Sequence, residues 1–224
     1  MLITKIKGLK FPDEAVTRFF FKQGFHNVKG SALELGCGSG NNLRLFYEYG
    51  WDVTGVDLSS DAVSDATENL TSIQIEYRLN NKFHIIKDDM LNFIRTQPPN
   101  SIGVILFPSS LFYLKYDEII ALLELVSKAL QSGAFLFFKL VTDMDYRFLN
   151  PNKINLGNCS YKLKFEETDE YNQVVTFLSR EQWVDLIKKY FNFKNFSVFD
   201  LIFDHTQNSV ITKNANIICY GELI

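Results

Sequence analysis

The sequence predicts a doubly wound α/β domain: a mostly parallel sheet with helices on both faces and one antiparallel strand near its C-terminal edge. Three observations predict it: five short apolar runs that alternate with stretches of helical spacing, a glycine-rich turn after the first run, and two β-rich segments that close the chain. The 224 residues are 46% apolar and 15% aromatic, ample for one packed core, and the chain reads as a single domain over residues 1–224.

The elements follow in order. Residues 1–29 carry an amphipathic helix over 12–22, with Pro12 at its start and Val16, Phe19 and Phe20 on one face. Strands are predicted at 32–35, 53–56, 83–86, 102–107 and 134–140, each capped by Gly or Asp or bounded by a turn. Helices fill 42–49, stopping at Gly50, 60–79, stopping at Asn80-Asn81, and 116–130, stopping before Gly133. Ser179-Arg180-Glu181-Gln182 is a capping box, with Leu178 placed to staple onto Trp183, and its helix runs to about residue 191. Segments 193–204 and 210–220, joined by Thr206-Gln207-Asn208-Ser209, read as a hairpin. The stretch 141–178 is an insertion rich in Asn, Lys and Tyr. Ligands of open α/β sheets sit at the carboxyl ends of the strands, so this insertion and the N-terminal helix are expected to cover that edge.

Composition narrows the partners. Lys and Arg total 23 against 26 for Asp and Glu, a formal charge of −3 that offers no footprint for nucleic acid. The longest uncharged stretch, 96–114, is broken by Pro98, Pro99, Asn100 and Pro108, so no membrane-spanning helix is expected. Lys5, Lys7 and Lys10 precede no apolar signal region, which makes a cytoplasmic address the expectation. Cys37, Cys159 and Cys219 suit reduced thiols, and with His26, His84 and His205 equally scattered no metal is expected. Asp143 and Asp145 are the one pair of carboxylates considered for a divalent ion.

The most informative run is Glu34-Leu35-Gly36-Cys37-Gly38-Ser39-Gly40. Glycines alternating at the end of a strand let the chain turn sharply and let a nucleotide-like ligand lie against backbone. A tight turn with no ligand is the plainer alternative, but three glycines exceed what a turn needs. Asp57 follows 21 residues after Gly36 at the next strand tip, where a carboxylate can accept from both ribose hydroxyls. Its alternative role is a helix cap, for which Ser59 and Ser60 already stand ready. The third strand ends in Asp88-Asp89-Met90, where one carboxylate can meet an adenine amino group and Met90 can pack on the ring.

Glu34-Leu35-Gly36-Cys37-Gly38-Ser39-Gly40, Gly55-Val56-Asp57 and Asp88-Asp89-Met90 together resemble the first three motifs of the class I S-adenosylmethionine-dependent methyltransferases. The resemblance runs from about residue 30 to the C-terminus, and the closing hairpin is similar to that family's reversed strand. It implies a Rossmann-like sheet and S-adenosylmethionine as cofactor, with S-adenosylhomocysteine as product. It further implies that Glu34, Gly36, Gly38 and Gly40 border the amino-acid and ribose parts, that Asp57 holds the ribose, and that Asp89 faces the adenine. Cys37, Leu58, Met90 and Phe107 are assigned beside them. The dinucleotide fingerprint GxGxxG fails, because from Gly36 its last position falls on Asn41. An NAD(P)-dependent oxidoreductase would also want Tyr-x-x-x-Lys on one helix, and Tyr190 with Lys194 straddles a helix end.

After the fourth strand comes Phe107-Pro108-Ser109-Ser110-Leu111-Phe112-Tyr113, the position where the family places substrate-side residues. It carries neither Asn/Asp-Pro-Pro-aromatic nor Pro-Cys, which speaks against a nucleobase acceptor. Ser109, Ser110 and Tyr113 are candidate acceptor contacts, and Lys139, ending the fifth strand, is a candidate for meeting an anionic group. Lys10-Phe11-Pro12-Asp13-Glu14 and Ser109-Ser110-Leu111 loosely resemble methyltransferases found with bacterial surface-polysaccharide genes, which implies a small-molecule or sugar-type acceptor. No residue stands out as catalytic. An inactive, cofactor-binding scaffold is the alternative outside enzymology, and aminopropyl transfer, which uses a decarboxylated cofactor, is the alternative within it. Acceptor identity, acceptor atom and oligomeric state leave no signature in the chain.

Overall fold

The computed structural model describes residues 4–165, 170–207 and 210–224. Seven strands form the main sheet in the order β3-β2-β1-β4-β5-β10-β9. They are β1 (Ser31–Leu35), β2 (Asp52–Asp57), β3 (Phe83–Lys87), β4 (Ile102–Pro108), β5 (Leu130–Val141), β9 (Phe193–Gln207) and β10 (Val210–Leu223). The first five run parallel, and β10 returns antiparallel to both β5 and β9. Ala32 lies opposite Val53 on one side and Val104 on the other, so the strand order reverses at β1 and a crevice opens at the carboxyl ends of β1 and β4.

Helices α1 (Glu14–Lys22), α2 (Asn41–Glu48) and α3 (Ser60–Tyr77) cover one face. Val16, Phe19, Phe20, Phe46 and Leu70 meet Phe137, Ile218 and Tyr220 of the sheet there. Helices α4 (Met90–Arg95), α5 (Tyr116–Ala129) and α7 (Arg180–Tyr190) cover the other, where Ile94, Leu122 and Trp183 pack on Ile105, Phe138 and Ile217. Both faces of the central strands are buried, which is why those strands read as continuous apolar runs. The capping box forms as predicted: Ser179 Oγ accepts from Gln182 N, and the Gln182 side chain accepts from Ser179 N. Trp183 Nε1 donates to Val141 O at 2.8 Å, fixing α7 on the end of β5.

Two points differ from the sequence reading. Helix α4 is absent from it, because six residues are too few to show a helical period. The insertion is built as α6 (Tyr146–Leu149) followed by a separate antiparallel sheet of β6 (Lys153–Gly157), β7 (Ser160–Leu163) and β8 (Val174–Thr176). It docks beside β4: Thr176 Oγ1 donates to Leu114 O, and Tyr116 N donates to Ser160 Oγ. Asn208 and Ser209 of the predicted hairpin turn lie outside the described residues, but Gln207 pairs with Val210 across it. No helix among the described residues is long and apolar enough to cross a membrane.

Candidate functional site

The site grows from the turn that ends β1. The N–H groups of Gly36 and Cys37 both donate to Val56 O, at 2.8 and 3.1 Å, which folds the chain back over β2. Gly36 has φ +77°, and a Cβ there would lie 2.4 Å from Ser110 Cβ, so both its backbone and its neighbour require glycine. Ser110 is buried, and its Oγ donates to Leu35 O. Gly40 starts α2 in the same left-handed region, and its N–H closes the turn on Cys37 O at 2.9 Å.

Asp57 ends β2 and braces this turn. Its Oδ2 accepts from Gly38 N at 2.9 Å and its Oδ1 from Ser59 N at 2.9 Å. The cap of α3 is Ser59, whose Oγ accepts from Ala62 N, so Asp57 is not the capping residue. At the tip of β3 the structure divides the two acids. Asp89 Oδ1 accepts from Leu91 N and Asn92 N and so caps α4, while Asp88 stands on the cleft wall with Leu58 and Met90. Asp89, expected on the adenine side, thus spends Oδ1 on the helix cap, and Asp88 Oδ1 accepts from Asp89 N. The Phe107 side chain packs away from the cleft: it is fully buried and stacked on Phe138 with centroids 5.1 Å apart, because its side of β4 faces α5 and α7.

The cleft has two lobes that share Gly36, Gly38 and Ser109. One, of about 250 Å³, is walled by Asp57, Leu58, Asp88, Met90, Ser110 and Tyr113. The other, of about 420 Å³, is walled by Phe11, Asp13, Glu34, Cys37, Asn42 and Lys139. Gly40 is buried behind the turn rather than on either wall, its α-carbon facing Ala66. A third cavity of about 430 Å³, between α5, α7 and the turn from β6 to β7, contains none of the predicted site residues.

Glu34 is the electrostatic anomaly. It is 1% exposed, Oε1 accepts from Asn42 Nδ2 at 2.9 Å, and Oε2 has no hydrogen-bond partner among the described residues. Burial pushes its carboxyl up to about 8, with the Asp57 charge adding and the Asn42 bond opposing. Burial likewise drives the Cys37 thiol far above its ordinary range, which leaves it neutral and unreactive. Lys139 does not stand free at the end of β5: its Nζ meets Asp13 Oδ2 at 2.6 Å. Asp13 in turn caps α1 through Ala15 N and donates its own N–H to Asn42 Oδ1. Tyr113 donates to Glu170 Oε1 of the insertion, and burial keeps its phenol protonated well above the usual range. Asp145, considered for a divalent ion, is fully engaged by Arg147 and by Ala215 N. His84 lies exposed on the edge strand β3.

Asp13 and Asn42 line the second lobe and Glu170 holds Tyr113 of the first, and the sequence reading assigned none of the three to the site. Asp13 carried a signal, an acid directly after Pro12 at a helix start, whereas Glu170 reaches Tyr113 across 57 residues and carried none.

A parallel five-strand core with an antiparallel pair at one edge, and a glycine turn facing an acid on the next strand, define the class I S-adenosylmethionine-dependent methyltransferase fold. The family model described as a methyltransferase domain matches residues 7–198, and the chain belongs to that family. Among solved structures it is similar to a methyltransferase of Methanosarcina mazei, with 19% identity, TM-score 0.67, and 87% of this chain and 92% of that one covered. A methyltransferase of Archaeoglobus fulgidus gives 12% identity and TM-score 0.63 over 97% of this chain and 96% of that one. The 1,6-didemethyltoxoflavin-N1-methyltransferase of Burkholderia thailandensis, solved with 1,6-didemethyltoxoflavin and S-adenosylhomocysteine bound, gives 12% identity and TM-score 0.60 over 93% and 76%. At these identities the likeness is one of fold. No functionally curated protein matches the chain.

Proposed function

We propose that the protein takes a methyl group from S-adenosylmethionine and passes it to a small-molecule or carbohydrate-type acceptor. One observation carries the reading: a buried Glu34 oxygen without a partner on the wall of a glycine-lined cleft. An unpaired buried polar atom costs about 1–3 kcal/mol, a cost that a ligand cation relieves.

The residues present fit this cofactor. Asp57 uses each oxygen for one backbone N–H and retains acceptor capacity on both for ribose hydroxyls. Leu58 and Met90 supply apolar walls for the adenine and Asp88 an acceptor for its amino group. A Cβ at Gly38 would meet no protein atom within 4 Å, so that backbone faces open space where a ligand can lie against it. Glu34, Cys37 and Asn42 border the amino-acid end.

When bound, S-adenosylmethionine supplies a methyl on a positively charged sulfur that an acceptor nucleophile displaces in line. The chain contributes alignment and the exclusion of water. Ser109, at the junction of the lobes, and Tyr113 are the acceptor-side contacts, while Ser110 serves the turn through its bond to Leu35 O. The N-terminal segment 1–29 and the insertion 141–178 act as covers within one domain. A cytoplasmic enzyme suits the free thiols of Cys37, Cys159 and Cys219.

The test is calorimetric titration with S-adenosylmethionine, S-adenosylhomocysteine and NADH, followed by a screen of sugars and small metabolites with methyl-labelled cofactor. Micromolar binding of the first two and label on an acceptor support the reading. Binding of NADH alone would replace it with an oxidoreductase, and cofactor binding without transfer to any acceptor would favour a scaffold.

A further inference from the structure

A buried acid and an ammonium stand on the second lobe, joined by one run of hydrogen bonds. Glu34 Oε1 accepts from Asn42 Nδ2 at 2.9 Å, Asn42 Oδ1 accepts from Asp13 N at 2.8 Å, and Asp13 Oδ2 meets Lys139 Nζ at 2.6 Å. One end of the run is the unpartnered Glu34 Oε2. The other is an ammonium with three donors, of which the pair with Asp13 uses one. A carboxylate oxygen without a partner and a lysine on the same wall match a ligand end that carries an ammonium and a carboxylate on one carbon.

We propose that Lys139 reads the carboxylate of the cofactor's amino-acid end, bridging it to Asp13 while Glu34 Oε2 takes the ammonium, so that the lobe selects an intact α-amino acid end. The inference rests on the cofactor reading above and deepens it. Lys139 sits at the end of β5 with its side chain 16% exposed, partly shielded from solvent, where a charged hydrogen bond keeps much of its strength. Asp13 aims the lysine, and Asp13 is itself fixed by Ala15 N and Asn42. The arrangement discriminates against a decarboxylated cofactor, which leaves Lys139 without its second acceptor.

The experiment titrates the full chain with S-adenosylhomocysteine and with 5′-methylthioadenosine, which shares the adenosine and lacks the amino-acid end. Wild type, Lys139→Met and Lys139→Arg are compared, with Lys139→Gln replacing the Met variant if its melting curve shows no folded state. The proposal expects Lys139→Met to weaken S-adenosylhomocysteine by roughly tenfold or more, to leave 5′-methylthioadenosine unchanged, and Lys139→Arg to recover most of the loss. Equal loss for both ligands would overturn it, because the lysine would then only shape the cleft. Unchanged S-adenosylhomocysteine affinity would also overturn it and turn Lys139 toward an anionic acceptor. If neither ligand bound the wild type, the cofactor reading itself would fall.

Discussion

The backbone N–H of Gly38 donates to Asp57 Oδ2 at 2.9 Å, so the tip of β2 holds the glycine turn of β1 in shape before a ligand arrives. Asp57 therefore has two tasks, and a substitution must separate them. Asp57→Ala leaves the Gly38 and Ser59 N–H groups without their acceptor and is expected to cost about 1–3 kcal/mol of stability as well as cofactor binding. Asp57→Asn keeps one side-chain oxygen as an acceptor and should lose binding with a smaller loss of stability. Urea denaturation alongside calorimetry on both variants checks this; equal stability of Asp57→Ala and wild type would remove the bracing role.

Glu34 makes stability depend on pH in a defined window. Its carboxyl lies at about 8 in the folded chain against an ordinary value of 4.5, because burial, opposed by Asn42 and reinforced by Asp57 and Asp13, disfavours the charge. Below about 4.5 both folded and unfolded chains hold the proton; between 4.5 and 8 only the folded chain holds it fully, so this contribution falls as pH rises and levels off above 8. Glu34→Gln should remove the slope and exceed the wild type near pH 8, by on the order of a few kcal/mol. Urea midpoints measured from pH 5 to pH 9 report the difference, and parallel curves for the two proteins would contradict it.

A second buried network anchors the insertion. Asp145, with no exposed surface, receives Arg147 through both oxygens, and Arg147 also donates to Glu170, which accepts from Tyr113 and Tyr146. Asp145→Ala leaves the buried Arg147 guanidinium with Glu170 alone, beside the rings of Phe112 and Tyr146, and should cost about 3–5 kcal/mol in denaturant unfolding. Glu170→Ala is expected to cost less, since Glu170 is only partly buried, and to act on ligand affinity by removing the acceptor of the Tyr113 hydroxyl, which calorimetry checks.

Gly55 is needed for space. A Cβ there would lie 2.7 Å from both Cys37 Sγ and Leu43 Cδ1, so Gly55→Ala pushes the turn and the start of α2 off β2. The expected loss is about 1–3 kcal/mol, accompanied by weaker S-adenosylhomocysteine binding. Thermal melting and calorimetry together check it.

Much of this was legible because the signals are local. The central parallel strands β1, β4 and β5 are buried on both faces and so read as apolar runs, and the Ser179 capping box declares α7 through adjacent residues. The glycine turn and Asp57 were legible because their spacing reflects one strand-helix-strand unit. That Asp89 caps α4 while Asp88 lines the cleft had a readable cause: an acid directly before Met90-Leu91 is an N-cap. The small sheet of β6, β7 and β8 was not legible, since strands of three to five residues lack a resolvable alternation. Neither was the pairing of Lys139 with Asp13, 126 residues apart, which only the docking of α1 on the sheet brings about.

The most direct test of the central claim is the structure of the protein crystallised with S-adenosylhomocysteine. The account predicts ligand across both lobes, with the ribose at Asp57, the adenine between Leu58 and Met90, and the ammonium at Glu34 Oε2. Ligand in the cavity between α5 and α7, or in the cleft with Glu34 Oε2 still unpartnered, would contradict it.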